Sequence, residues 1–331
     1  MTAPTLEIHL SDSDAADALH HDARVGLSAD AKWLPPKWFY DARGSELFEA
    51  ITTLPEYYPT RTERELLRRS ADEIAQRAWA RGAAVDTLVE LGSGSSEKTR
   101  LLLDALTANG SLQRFVPLDV SESALRGAMA AVSHEYPGLA VHGVVGDFTR
   151  HLELLPAGQG GRRLVAFLGG TIGNLLPAER TGFLTALRAA LDPGELLLLG
   201  AGLATDPAVM VPAYDDAAGV TAEFNRNVLH VLNRELGADF EVDAFDHLAV
   251  WDATHEWIEM RLRARRAMTV RLPAVGMTVH YAKDEEMRTE VSGKFRREGL
   301  GAELLNAGFV DQVWWTDPYQ RFAVVLAAAA S

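Results

Sequence analysis

The chain has 331 residues, 47% of them hydrophobic and 24% charged, a balance that supports one large folded domain or two of ordinary size and no long disordered segment. With 46 acidic against 32 basic residues, its formal charge of −14 excludes the basic stripe that nucleic acid requires and argues against an anionic membrane surface. The lack of cysteine excludes disulfides, thiolate nucleophiles and cysteine-ligated zinc, and fits a reducing cytoplasm.

The leading segment "MTAPTLEIHLSDSDAADALHHDARVG" carries acids where a signal peptide needs a positive start, so no export signal is expected. Residues 1–60 otherwise read as helical pieces around the loop "LPPKWFYDARGSELFEAITTLPEYYPT". From about 60 to 200 the pattern changes to short β-rich runs alternating with amphipathic helices, the rhythm of a parallel sheet covered on both faces. Thr62-x-x-Glu65 has capping-box spacing before "LLRRSADEIAQRAW". Strands are expected at 86–91, 114–119, 139–147, 162–169 and 195–201, and Pro177 suits the first turn of "AERTGFLTALRAAL". The apolar runs at 196–204 and 322–330 fall well short of the ~20 residues that span a bilayer and read as buried strands.

Residues 202–286 break the rhythm again, with a helix "AEFNRNVLHVLNREL" and then alternating strands such as "WIEMRLRARRAMTVRL". There Ile258, Met260, Leu262 and Ala264 share one side and Glu259, Arg261, Arg263 and Arg265 the other. Near the C-terminus a helix "GAELLNAGF" precedes two strands separated by a turn at Pro318, which must pair antiparallel. Such a hairpin finishing a parallel sheet resembles the class I S-adenosylmethionine (SAM) methyltransferases. The expected organisation is therefore α/β: a Rossmann-like sheet domain over 61–201 and 287–331, and a lid-like second α+β domain over 1–60 and 202–286 that holds the substrate.

The stretch "LVELGSGSSEKT" (88–99) nearly fits two phosphate-binding patterns, GxGxxG and GxxxxGK[ST], and both fail at Glu97. A carboxylate at the opening of the following helix would occupy the field that favours anions. The glycines still let a ligand approach the backbone at the carboxyl end of the first strand. A nucleoside without phosphates suits this loop better than a dinucleotide. Asp119 closes the second strand at the distance where a carboxylate meets ribose hydroxyls, and Asp147-Phe148 closes the third, offering an acceptor for an exocyclic amine and a face for adenine. Taken singly, each acid reads better as a turn residue capping a neighbouring helix. Together they suit a cationic sulfonium nucleoside and need no metal. The histidines at 20–21, 247 and 255 lack i,i+4 ligand spacing, so no metal is expected.

The segments "LPPKWFYDARGSELFEAITTLPEYYPTRTE", "VELGSGSSEKTR", "FLGGTIGNL", "AYDDAAGVTAEFNRNVL", "EMRTEVSGKF" and "WWTDP" together resemble the bacterial L-histidine Nα-methyltransferases of ergothioneine biosynthesis, over nearly the whole chain. The family pattern often reads "GSGTSEKT" in the loop, a conservative difference from the serines here. The resemblance implies SAM-dependent trimethylation of histidine to hercynine, acting on histidine and its mono- and dimethylated forms. By matching residues it implies SAM contacts at Gly92, Lys98, Asp119, Asp147 and Phe148. It assigns the histidine carboxylate to Asn174 and Tyr214 and the imidazole to Glu290 and Ser292, with Tyr57 also on the substrate and Phe48, Gly169 and Met260 as lining residues.

The residue types suit those roles: a carboxylate beside a hydroxyl supplies the acceptor and the adaptable partner that two imidazole nitrogens need. Methyl transfer requires the amine to be aligned and deprotonated, and Tyr40 is the candidate proton relay. Tyr40, Phe48 and Tyr57 would stabilise the accumulating ammonium by roughly 0.5–2 kcal/mol through cation–π attraction. A cytoplasmic monomer is expected. Competing readings are a SAM methyltransferase for another amine, a non-catalytic SAM- or histidine-binding module and, weakened by Glu97, a nicotinamide dehydrogenase.

Overall fold

The computed structural model describes residues 4–79, 84–158 and 160–331; the first three residues of the expected leading block lie outside them. The chain divides into two compact units, one formed by 1–10, 59–204 and 295–331, the other by 11–58 and 205–294. Elements are numbered along the whole chain.

The first unit is built on an eight-stranded sheet. Its strands are β1 (Thr5–Ile8), β2 (Val85–Leu91), β3 (Arg114–Asp119), β4 (Ala140–Val145), β5 (Arg162–Phe167), β6 (Leu196–Gly202), β12 (Phe309–Thr316) and β13 (Phe322–Ala329), in the order β1-β4-β3-β2-β5-β6-β13-β12. β1 to β6 pair parallel, while β13 runs antiparallel to both β6 and β12. This is the mixed sheet with a closing hairpin expected of a class I SAM methyltransferase. β2 and β6 are buried at every residue, because helices cover both faces of a central parallel strand. The helices are α3 (Tyr58–Trp79), α4 (Arg100–Ala108), α5 (Glu122–Glu135), α6 (Pro177–Ala189) and α9 (Arg297–Asn306). Strand order reverses at β2, flanked by β3 and β5, so the turns after β2 and β5 lie at a topological switch point, where open α/β sheets bind ligands.

Three local expectations change. α3 starts at Tyr58, so Thr62 and Glu65 lie inside the helix and Glu65 pairs with Arg68 and Arg69 instead of capping. α4 starts at Arg100, leaving Glu97 exposed in the turn before it. Residues 1–10, grouped by sequence with the second domain, contribute β1 to the edge of this sheet by pairing with β4.

The second unit holds the three-stranded antiparallel sheet β11-β8-β7, made of β7 (Phe245–Asp252), β8 (Trp257–Ala264) and β11 (Glu286–Gly293), and the hairpin of β9 (Met268–Leu272) with β10 (Met277–Tyr281). Its helices are α1 (Asp12–Ser28), α2 (Ala42–Thr53), the single turn α7 (Pro207–Met210) and α8 (Val220–Leu236). Ile258, Met260, Leu262 and Ala264 of β8 are all essentially buried, in agreement with their alternation, and enter one core with Phe39, Phe224 and Val228. Residues 287–294, placed by sequence with the sheet domain, belong here because β11 pairs with β8. α2 meets α8 through Asp41, which caps α2 at Gly44 N and accepts from Asn227 Nδ2 at 2.7 Å. Gly44 is required there: a Cβ would stand 1.6 Å from the Phe39 carbonyl oxygen.

Candidate active site

In the first unit the β2 turn is organised by two buried acids. Glu90, in the last turn-ward position but one of β2, accepts from Ser96 Oγ at 2.9 Å and from Thr99 Oγ1. Burial pushes its carboxyl up to about 7, with Thr99, Ser96 and Lys98 pulling the other way. Asp119, at the end of β3, accepts from Gly94 N and Ser121 N at 2.9 Å each. Burial raises its pKa too, and those N–H groups oppose the shift.

Gly92 sits at φ +66° and Gly94 at φ +49°, left-handed conformations that explain the glycines. A Cβ on Gly92 would lie 3.8 Å from the Phe148 ring, and one on Gly94 would meet no atom within 4 Å. Phe148 is fixed by edge contacts with Phe167 and Phe183. Asp147 accepts from Thr149 N and Oγ1 at 2.8 and 2.6 Å. The structure thus gathers Gly92, Asp119 and Phe148 at the carboxyl ends of β2 to β4.

Lys98 is ion-paired with Glu63 of α3, a carboxylate with no exposed surface. The other oxygen of Glu63 accepts from Gly169 N at 2.7 Å. Gly169 and Gly170 turn the chain after β5 at φ +82° and +72°, leading into the short helical turn Thr171–Asn174. Glu63 therefore ties the β2 turn to the β5 turn.

These features fit a sulfonium nucleoside. Two acids back a glycine turn that is open above Gly94, Ser93 Oγ is buried with no partner in the protein, and the lysine that suggested a phosphate clamp is neutralised by Glu63. Among the described residues no cluster of three or more histidines or acids could hold a metal.

In the second unit the aromatic candidates form one chain of edge contacts. Tyr40 meets Phe48 at 5.5 Å between centroids, Phe48 meets Tyr57 at 6.2 Å, and Tyr57 meets Tyr214 at 6.2 Å. Tyr40 is 38% exposed, whereas Tyr57 and Tyr214 are buried. Tyr214 and Ser292, assigned to opposite ends of histidine by the resemblance, have their hydroxyls 2.7 Å apart. Burial, together with the charge of Glu290, raises the Tyr214 phenol well above its ordinary range, so it stays protonated.

A β-bulge aims these groups. Arg288 pairs with Arg261 and Glu290 with Met260, which leaves Thr289 as the extra residue of β11. Its hydroxyl bonds Asn225 Oδ1 at 2.5 Å and the Met260 carbonyl at 3.0 Å. Asn225 Nδ2 gives its hydrogens to His247 Nδ1 and the Arg261 carbonyl, at 2.8 and 3.0 Å. His247 Nε2 then donates to the Tyr214 carbonyl at 2.8 Å. Burial lowers the pKa of His247, keeping it neutral in that tautomer. Beyond the bulge, Glu290 and Ser292 are two apart on one strand and share a face.

Asn174 and Gly169 belong to the first unit; Tyr40, Phe48, Tyr57, Tyr214, Met260, Glu290 and Ser292 belong to the second. Sequence reasoning passed over Glu63, Glu90 and Lys294. Glu90 carried a signal, an acid inside an otherwise apolar strand next to a glycine turn. Glu63 and Lys294 carried none, since their partners lie far along the chain or were assigned without them.

A family description, "Histidine-specific methyltransferase, SAM-dependent", matches residues 19–329. The chain is 56% identical over 324 residues to the "Histidine N-alpha-methyltransferase" of Mycolicibacterium smegmatis, covering 98% of each chain. It is 54% identical over 320 residues to the protein of the same name from Mycobacterium tuberculosis, covering 97% of this chain and 98% of that one. It is 34% identical to "Ergothioneine biosynthesis protein 1" of Neurospora crassa over 62% of this chain and 23% of that longer protein. The chain belongs to the SAM-dependent, histidine-specific methyltransferase family.

Proposed function

We propose that this enzyme transfers three methyl groups in turn from SAM to the α-amino nitrogen of L-histidine, giving hercynine for ergothioneine biosynthesis. The observation that carries the reading is the 56% identity, over 98% of both chains, to a histidine N-alpha-methyltransferase. Mono- and dimethylhistidine are substrates of the later rounds, and the protein acts as a cytoplasmic monomer. Size-exclusion chromatography with light scattering checks the last point: a dimer mass at micromolar concentration would refute it.

SAM, when bound, supplies an electrophilic methyl on a positively charged sulfur. The residues proposed to hold it are Gly92, Lys98, Asp119, Asp147 and Phe148. Asp119 suits the ribose hydroxyls because its backbone bonds leave lone pairs to spare. The face of Phe148 suits adenine, and Lys98 acts through Glu63, which fixes the β2 turn.

On the substrate, Asn174 and Tyr214 take the carboxylate, Glu290 and Ser292 read the imidazole, and Tyr57, Phe48, Gly169 and Met260 line it. Tyr40 relays the amine proton outward, a role that the partial exposure of this residue supports. Each methylation must begin from the neutral amine, whose ordinary pKa is about 8, so a proton leaves before every transfer.

The test is incubation with SAM and histidine, with mass spectrometry of the products against a panel of other amino acids. Mono-, di- and trimethylhistidine should accumulate in sequence. Absence of all three, or equal methylation of leucine and glutamine, would overturn the reading.

A further inference from the structure

Lys294 is the first residue after β11, buried in the second unit, and neither its position nor its chemistry is explained by packing. Its Nζ lies 2.7 Å from the Tyr214 hydroxyl and 2.8 Å from Ser292 Oγ, and 4.7 Å from the centre of the Tyr214 ring. An ammonium has three hydrogens and no lone pair, so it only donates. Tyr214 and Ser292 therefore each spend a lone pair on Lys294, and they also bond each other. That mutual bond uses one of their two hydroxyl hydrogens. The other must point elsewhere, so the pair as a unit offers a donor.

Two residues along the same face of β11 stands Glu290, an acceptor when ionised. Strand geometry separates the two positions by about 6.6 Å. A flat five-membered ring whose nitrogens lie about 2.2 Å apart, with a hydrogen bond of about 2.7–3.2 Å at each end, spans about 7–8 Å, a distance the longer Glu290 side chain can accommodate from its own position on the strand.

We propose that Lys294 is a specificity-determining positioning residue, which holds Tyr214 to Ser292, in place of the carboxylate role given to Tyr214 above, and so fixes the pair as a hydrogen-bond donor to the ring; the site then accepts imidazole only as the neutral ring, one nitrogen bare toward the hydroxyls and the other giving its hydrogen to Glu290. The proposal rests on the reading of Glu290 and Ser292 as imidazole contacts. An imidazolium would turn an N–H toward hydroxyl oxygens already occupied by donors and bring its charge beside the ammonium. The titratable groups facing Lys294 are Glu290, Tyr214 and Tyr58; β8 sets only Ile258 and Met260 opposite Ser292 and Glu290. Burial lowers the ammonium's pKa, and the charge of Glu290 resists that shift.

The experiment compares histidine with 2-fluorohistidine, whose ring stays neutral throughout, by measuring KM on the wild-type protein from pH 5 to 8. Both share the same α-amino group, so its titration cancels. The ratio of KM for histidine to KM for the fluoro compound should rise about tenfold per pH unit below about 6.5, the ordinary imidazole value. Lys294→Met, checked for folding by its melting curve and SAM binding, should raise KM for histidine at pH 8 at least tenfold with a smaller change in kcat, and should flatten the histidine-specific rise. Coincident wild-type profiles, or a Lys294→Met profile unchanged from wild type, would overturn the proposal; the wild-type comparison decides alone if the variant does not fold. Glu290→Ala and Ser292→Ala separate the two levels. If neither weakens histidine, the imidazole reading itself has failed; if both do while the wild-type profiles coincide, only the role of Lys294 has.

Discussion

The two units solve the same problem, a buried ionisable group beside a proposed ligand site, in opposite ways. In the first, acids are steadied by loop groups next to them in the fold: Asp119 by two backbone N–H groups, Glu90 by two hydroxyls of the turn that it organises. In the second, a cation is steadied by two side-chain hydroxyls, and one of them hangs on a relay through Thr289, Asn225 and His247. The first design is written in backbone geometry and suits a cationic methyl donor. The second is written in side-chain directions and suits discrimination among amino acids.

The comparison can be broken most forcefully at Glu63. Glu63→Ala leaves Gly169 N without its acceptor and Lys98 without its counter-ion, and breaking such a buried pair costs about 3–5 kcal/mol. Chemical denaturation should show that loss, and calorimetry a weaker SAM affinity. A variant as stable as wild type would mean that the β2 and β5 turns are held independently of each other.

Glu90 sharpens the contrast through pH. Its folded carboxyl titrates near 7 against 4.5 unperturbed, so the native state keeps a proton that the unfolded chain has released. This contribution is full below about 4.5 and is lost as pH rises through about 7, on the order of 3 kcal/mol over the interval. Glu90→Gln, neutral at every pH, should remove that decline in unfolding measurements at pH 5 and 8. An unchanged slope would place the titration elsewhere.

The relay of the second unit predicts a separation of effects. Thr289→Val strands the buried Asn225 Oδ1, at a cost of about 1–3 kcal/mol. KM for histidine should rise while SAM affinity holds; equal losses in both would show that the bulge supports folding only. The smallest effect is expected at Tyr40→Phe. Loss of the hydroxyl from this partly exposed residue should lower kcat by about tenfold with KM for histidine unchanged. An unaltered kcat would remove Tyr40 from the proton path.

The same contrast explains what could be read from the amino-acid order. β2, β3 and β4 and the polar residues at their ends are local patterns, apolar runs closed by Gly92, Asp119 and Asp147, and they stand where the runs predict. β1 escaped notice because "TLEI" is short and mostly exposed, and becomes a strand only by pairing with β4. α4 starts later than expected because Ser96, at φ +53°, is left-handed and keeps the turn around Glu97 out of the helix. Lys294, Glu63 and Thr289 owe their roles to partners far away in sequence, such as Tyr214 and Gly169, and no spacing rule encodes those pairings. Only likeness to a family could point to 290 and 292, and even that passed over the lysine two residues on.

The margins of the large sheet carry one more consequence. One margin is β1, four residues long and largely exposed; the other is β12, whose register slips between Val310 and Val313, with Asp311 turned to φ +53°. A short strip and a kinked one make poor templates for a neighbouring molecule's backbone. An eight-stranded sheet left with straight margins would invite stacking into fibres; the two ragged hems of this one offer a neighbouring strand little to pair with.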